Sequence, residues 1–266
     1  MPAPTDTTDR IDGRLLEVLG LRHEGGGLRP FGARKARQVQ AILPELLAPF
    51  ADGSEPRTFL DCGCGKSYLS FFLQSRLQEM GRQDARIVGV DSDPRLIAVC
   101  EQARQRLGWD APHFVCSPIH DAPAQPGVDV VCSLHACDTA TDEAIARGVR
   151  LAARRIVVAP CCHRDLQRAL KRRHIGPPLG KVLRAFPLLS DRFSSLATEA
   201  VRATALRASG YSVRVFEFCP GLVTPKNLLL VAERARRPSR QARELLTDLL
   251  AFLGHRPAIC RMLDLP

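Results

Sequence analysis

Residues Thr58 to Ser70, Thr-Phe-Leu-Asp-Cys-Gly-Cys-Gly-Lys-Ser-Tyr-Leu-Ser, leave a chain few ways to fold. Phe59 and Leu60 belong to a buried strand that stops at Asp61. Gly63 and Gly65 then let the backbone turn sharply into an amphipathic helix carrying Leu69, Phe72, Leu73 and Leu77. A strand, a glycine turn and a helix make a nucleotide cradle, with Asp61, Cys62, Gly63, Cys64 and Gly65 as the residues over which a ribose-bearing cofactor would lie. NAD-binding and S-adenosylmethionine-binding units both open this way.

The pattern then repeats. Arg86 to Asp91 is a second strand ending in an acid, and Asp93 with Pro94 supplies an N-cap and first-turn proline for a helix that Gly108 stops. Asp91, followed by Ser92, stands at the tip of the strand next to the glycine turn, where a carboxylate can accept hydrogen bonds from vicinal ribose hydroxyls; the competing reading is a capping acid on a loop. His113 to Cys116 is a third strand, and Pro118 and Ile119 follow it at the cofactor edge. Val128 to Leu134 is a fourth, running into His135-Ala136-Cys137-Asp138, with Asp138 or Thr139 capping the next helix. Arg155 to Ala159 is a fifth, ending in Pro160-Cys161-Cys162-His163. Two polar clusters thus fall at the carboxyl ends of strands expected to be neighbours, the end at which open α/β sheets bind ligands.

Ahead of this core, Arg10 to Leu21 forms a short helix, and apolar positions from Ala36 to Phe50 recur at helical spacing, with Pro44 expected to break or restart that helix. After it, the segment 164–192 carries eight basic residues, including Arg164, Arg168, Lys171, Arg172 and Arg173, against Asp165 and Asp191. That segment is either a grip for phosphates over the active face or a solvated basic loop. Asp191 to Ser209 forms a helix with Phe193, Leu196, Ala200, Val201 and Leu206 on its apolar side. Tyr211 to Phe218 and Asn227 to Ala232 are a reversing pair of strands, where a plain NAD-binding fold would add a parallel sixth. Ser239 caps a last helix whose Ala242, Leu245, Leu246, Leu249, Leu250 and Leu253 pack on the body. The expected organisation is a helical lead-in over 1–54, a cofactor-binding domain over 55–234 with a basic insertion at 164–192, and a helical extension over 235–266.

With 266 residues, 45% of them hydrophobic, the chain can bury a full core. It has no apolar run of about 18 residues for a membrane span, and Met1 to Asp12 is too polar for a signal peptide, so the expectation is a cytoplasmic protein with reduced cysteines and no membrane partner. The net charge of +10 favours a polyanionic partner. A tetrahedral metal site built from His135, Cys137, Cys161 or Cys162 and His163 competes for the strand-end residues, but the spacing matches no zinc ribbon or finger, and no metal is assigned. Cysteine as a covalent nucleophile is a further alternative.

The strings Asp61 to Ser70, His135-Ala136-Cys137-Asp138 with Thr141-Asp142, Cys161-Cys162-His163 and Thr224-Pro225-Lys226-Asn227 together resemble a group of S-adenosylmethionine-dependent methyltransferase domains. That group is similar in turn to the eukaryotic tRNA acceptor-stem ribose 2′-O-methyltransferases. The resemblance spans roughly 33–234 and implies an α/β, Rossmann-like class I methyltransferase fold: a seven-stranded, mostly parallel sheet with an antiparallel last strand. It places Lys66, His135 and Cys137 on motif positions, and Ser67 where relatives often have glycine. The cofactor it implies is S-adenosylmethionine, held by Asp61, Cys62, Gly63, Cys64, Gly65, Asp91, Ser92, Pro118, Ile119 and Leu134. Methyl transfer from a sulfonium is an in-line displacement, so the protein aligns the acceptor and, for a hydroxyl, removes its proton. His135, Asp138 and His163 are the candidates for that work, and Cys137, Cys162, Arg164, Arg168, Lys171, Arg172 and Arg173 for holding an RNA substrate, tRNA or rRNA. Two other readings stand beside it: a non-catalytic RNA-binding or assembly factor that kept the fold, and a methyltransferase of protein or small molecules. Oligomeric state is not legible.

Overall fold

The structure is a computed structural model describing residues 11–123, 127–134, 136, 138–172, 175, 178–221, 223–224, 226–235 and 237–266, without the side chains of 171 and 172. In chain order the elements are α1 (Gly13–Val18), α2 (Pro30–Leu47), β1 (Thr58–Cys62), α3 (Tyr68–Glu79), β2 (Arg86–Asp91), α4 (Pro94–Leu107), β3 (His113–Cys116), β4 (Val130–Leu134), α5 (Thr139–Arg150) and β5 (Arg155–Ala159). They continue as α6 (Arg164–Arg172), α7 (Leu179–Ala185), α8 (Pro187–Ala208), β6 (Tyr211–Glu217), β7 (Leu228–Arg234), α9 (Arg240–Leu253) and α10 (Ala258–Met262).

One seven-stranded sheet organises them, in the order β3-β2-β1-β4-β5-β7-β6. β1 pairs in parallel with β2 on one side and β4 on the other, so the direction of winding reverses between β1 and β4. β7 pairs antiparallel with β5 and with β6, which inserts the last strand between the two before it, as the reversing pair of strands implied. Successive residues of the inner strands alternate between two apolar layers: Phe59, Val130 and Val157 pack with α2 and α3, whereas Leu60, Val131 and Ile156 pack with α5, α8 and α9. The caps expected for α4 and α9 form: Asp93 accepts from the Arg95 N–H, Ser239 accepts from the Ala242 N–H, and Gly108 and Gly254 take the left-handed conformation at the C-caps.

Several local expectations are corrected. α2 runs through Pro44 instead of breaking there, because the proline sits in the last turn, where it removes a single i→i−4 bond while buried Leu43 and Leu46 on either side hold the helix to the core. α8 begins at Pro187, not Asp191, using proline at its first position. Leu196 is 69% exposed, and the buried stripe of α8 runs instead through Ser194, Ala197, Thr198, Val201, Arg202 and Ala205, so this helix buries charge that an apolar-spacing argument passes over. On α9, Leu245 faces outward. The segment 164–192 is helical for most of its described length, as α6, α7 and the first turns of α8. No helix among the described residues is long and apolar enough to cross a membrane.

Candidate active site

β1 delivers the chain to a turn whose conformation depends on glycine at two points. Gly63 has φ +67°, and a Cβ there would lie 3.3 Å from Ala136 Cβ and 3.8 Å from Ile119 Cδ1, so its bare Cα lets the segments after β4 and β3 close over the turn. Gly65 has φ +58° and meets nothing within 4 Å, which leaves open space above the backbone. The next left-handed residue is Ser67, at φ 54°. It is fully buried and its hydroxyl has no hydrogen-bond partner.

The turn is tied down from below. The Cys64 N–H donates to Val90 O at 3.0 Å, and the Cys100 thiol donates to Gly65 O at 3.2 Å. A hydrogen bond with Cys100, then burial, push the Cys64 thiol far up, so it stays a thiol. Cys62 is buried and its carbonyl accepts from Ser133 Oγ at 2.7 Å.

Two acids flank the turn. Asp91 Oδ2 accepts from the Gly65 N–H and Oδ1 from the Asp93 N–H, each at 2.9 Å, which leaves lone pairs on both oxygens. Its backbone carbonyl accepts from the Ser117 N–H at 3.0 Å and so brings Pro118 and Ile119 up beside the turn. Ser92 and Pro118 are exposed, Leu134 is half-buried and Ile119 is buried. Asp61 is 2% exposed and accepts from Ser70 Oγ at 2.7 Å. Burial pushes its carboxyl up to about 7, against the Ser70 hydrogen bond and with the nearby Asp91 charge adding to the rise. Open space over glycine at positive φ, bounded by a carboxylate with spare lone pairs, suits a nucleoside cofactor.

β4 and β5 are neighbours, with Leu134 opposite Ala159, so the two polar clusters do issue from adjacent strand ends. His135, Cys137 and Arg173 lie outside the described residues, as do the side chains of Lys171 and Arg172. Asp138 holds the N-cap position of α5 at φ 56°, but its side chain does not cap that helix. It turns to the head of α6, accepting from the Asp165 N–H at 3.1 Å with Arg168 at 3.7 Å. Arg164 and Arg168 are exposed, and the Cys161 and Cys162 sulfurs, both half-buried, lie 3.7 Å apart.

His163 is almost enclosed. Its Nε2 is 2.8 Å from Ser195 Oγ and its Nδ1 is 3.3 Å from Glu199. Burial, then the charges of Arg202 and Lys226, push the imidazole down to about 4, so it is neutral near pH 7. Behind it Arg202 donates to Asp142 Oδ1 at 2.7 Å, to Glu199 Oε1 at 2.9 Å and to the Asp138 carbonyl at 3.1 Å. One guanidinium on α8 therefore joins both strand-end clusters. Ser195, Glu199 and Arg202 were not legible as site residues; the one available signal was a pair of opposite charges three apart on α8. No group of three or more His, Cys, Asp or Glu side chains among the described residues is arranged to hold a metal ion.

A glycine turn flanked by acids, under a sheet whose last strand is inserted antiparallel, defines a class I methyltransferase, whose cofactor is S-adenosylmethionine. Residues 34–169 match the family described as a methyltransferase domain, and the chain belongs to that family. No curated protein matches it. Among solved structures it is similar to a magnesium protoporphyrin IX methyltransferase from Synechocystis PCC 6803 with bound SAM, at 19% identity and a TM-score of 0.48, over 88% of this chain and 100% of that one. A geranyl diphosphate methyltransferase is similar at 14% identity and a TM-score of 0.48, over 84% and 93%. An rRNA methylase from Streptococcus thermophilus is similar at 11% identity and a TM-score of 0.43, over 78% and 98%.

Proposed function

We propose that the chain methylates RNA, a tRNA or rRNA, at a ribose hydroxyl or a base, in the manner of the tRNA ribose methyltransferases that its motifs resemble. The observation that carries this reading is the placement of basic side chains at the mouth of the site: Arg168 on α6 beside Asp138, exposed Arg164 at the start of the same helix, and Arg192 and Lys226 lining the cleft over His163. With a net charge of +10, this cluster suits a phosphate backbone laid across the carboxyl ends of β4 and β5. The cofactor, when bound, supplies an electrophilic methyl group.

The chain's own residues do the rest. Gly63 and Gly65 admit the cofactor and Asp91 accepts from its ribose, with Asp61, Cys62, Cys64, Ser92, Pro118, Ile119 and Leu134 forming the walls. Asp138 and His135 hold the acceptor group and take its proton. His163, neutral and hydrogen-bonded to Ser195, orients the acceptor side of the cleft. Cys162 and the basic residues Arg164, Arg168, Lys171, Arg172 and Arg173 hold the substrate. In this reading 164–192 is an RNA-gripping insertion in a domain spanning 55–234, and the protein works in the cytoplasm.

Incubation with tritium-labelled S-adenosylmethionine and total cellular RNA or total protein tests it. Label in RNA, mapped to one nucleoside by mass spectrometry, is expected. Label only in protein overturns the proposal.

A further inference from the structure

Lys35, on the first half of α2, is a half-buried ammonium with an unusual set of neighbours. Its Nζ donates to Gln38 Oε1 at 3.0 Å and stands 5.9 Å from the centre of the Tyr68 ring, the first residue of α3 after the glycine turn. On its other side it feels the Cys161 thiol at the end of β5. The ammonium thus stands between the head of α3 and the strand-end cluster of β5.

Among the described residues, no carboxylate lies within ion-pair distance of Lys35. Burial lowers its pKa, and the nearby Cys161 sulfur offsets that only in part. A buried cation of this kind is costly unless something anionic completes it. Lys66, the basic residue nearest in sequence to the turn, is exposed and lines a cleft with Val18, Tyr68, Gln102 and Arg106. The Asp91 charge at the turn repels an anion. A cofactor carrying an α-carboxylate at one end and a ribose at the other therefore needs a cation away from Asp91, and Lys35 supplies it.

We infer that Lys35 is the residue that binds the methionine carboxylate of S-adenosylmethionine. This rests on the cofactor assignment above and extends the site to α2, an element that sequence reasoning treated only as a lead-in.

The test is a cycle of isothermal titrations with S-adenosylmethionine and its decarboxylated form, which differ by that one carboxylate. The wild-type protein is expected to prefer the intact cofactor by about tenfold or more, the range of a charge-assisted hydrogen bond. Lys35→Met is expected to bring the ratio close to one by weakening the intact cofactor alone, and Lys35→Arg to retain much of the preference. Asp91→Ala weakens both ligands equally. Should Lys35→Met fail to fold, Lys35→Gln carries the same expectation. An unchanged preference in the folded lysine variants, or equal wild-type affinities for the two ligands, overturns the inference while leaving the cofactor assignment intact. A wild-type protein that binds neither ligand overturns the cofactor assignment, and the inference with it.

Discussion

Arg202 Nε donates to Asp142 Oδ1 at 2.7 Å across the interface of α8 and α5, with both side chains almost wholly out of water. Burial works to lower the arginine's pKa, but Asp142 and Glu199 outweigh it and keep the guanidinium charged. Both carboxylates are themselves pushed up by burial and held down by Arg202. The three charges are stable only as a set. Arg202→Met removes the common partner and strands two acids, so chemical denaturation is expected to show a loss of about 3–5 kcal/mol. A loss below about 1 kcal/mol would mean that the network contributes little to the fold.

His163 sits at the front of the same network and gives it a pH dependence. Its folded pKa of about 4 lies below the ordinary imidazole value of 6.5, so between these values the unfolded chain binds more protons than the folded one. Stability from this group is full above about 6.5 and falls as the pH drops towards 4, by on the order of 2–3 kcal/mol. His163→Gln is expected to flatten that part of the curve of denaturation midpoint against pH. An unaltered slope would show that the imidazole is not held neutral by its surroundings.

Asp138 holds its carboxylate at the head of α6 beside Arg168. Asp138→Asn keeps the shape and removes the charge. It is expected to lower methyl transfer by about 100-fold, within the usual range for a general acid or base, and to change S-adenosylhomocysteine affinity by less than about twofold. His135→Ala is expected to behave alike. Equal losses in turnover and cofactor affinity would move both residues out of the acceptor site and into the cofactor site.

How much of this was legible in the sequence follows from what each signal rests on. The glycine turn, the strand-end acids and the caps at Asp93, Gly108, Ser239 and Gly254 depend on local backbone chemistry, and they stand where the sequence put them. The inserted β7 was legible because two short apolar runs with a turn between them have few other ways to finish such a sheet. Pro44 misled because its effect depends on its distance from the helix end. Arg202 and Glu199 were missed because charge buried at helical spacing looks the same as charge exposed at helical spacing until a partner from another element is known, and Asp142 lies 60 residues away. Asp138 was one of two residues, with Thr139, expected to cap α5, and its side chain instead serves α6, again a choice made by tertiary contact.

Asp61 has a pH dependence opposite in sign to that of His163. Its folded pKa of about 7 is above the ordinary carboxyl value, so the folded state keeps a proton that the unfolded chain releases, and stability falls as pH rises from about 4 to about 7. Asp61→Asn retains an acceptor for Ser70 without the charge. The variant is expected to match the wild type near pH 4 and to exceed it at pH 8 by on the order of 2 kcal/mol. Equal stability at both pH values would show that the carboxyl titrates normally.

Ser67 carries two local penalties at once. An L side chain in the left-handed region costs roughly 1–2 kcal/mol, and a buried hydroxyl without a partner adds about 1 kcal/mol or more. Glycine removes both, at an entropic cost of about 0.5–1 kcal/mol in the unfolded chain. Ser67→Gly is therefore expected to stabilise the protein by about 1 kcal/mol in urea denaturation. Because Gly65, two residues before it, already faces open space, cofactor affinity should change little. A destabilised variant would mean that the hydroxyl has a role at this turn that offsets its strain, and titration with S-adenosylhomocysteine would then show whether the role is in holding the cofactor.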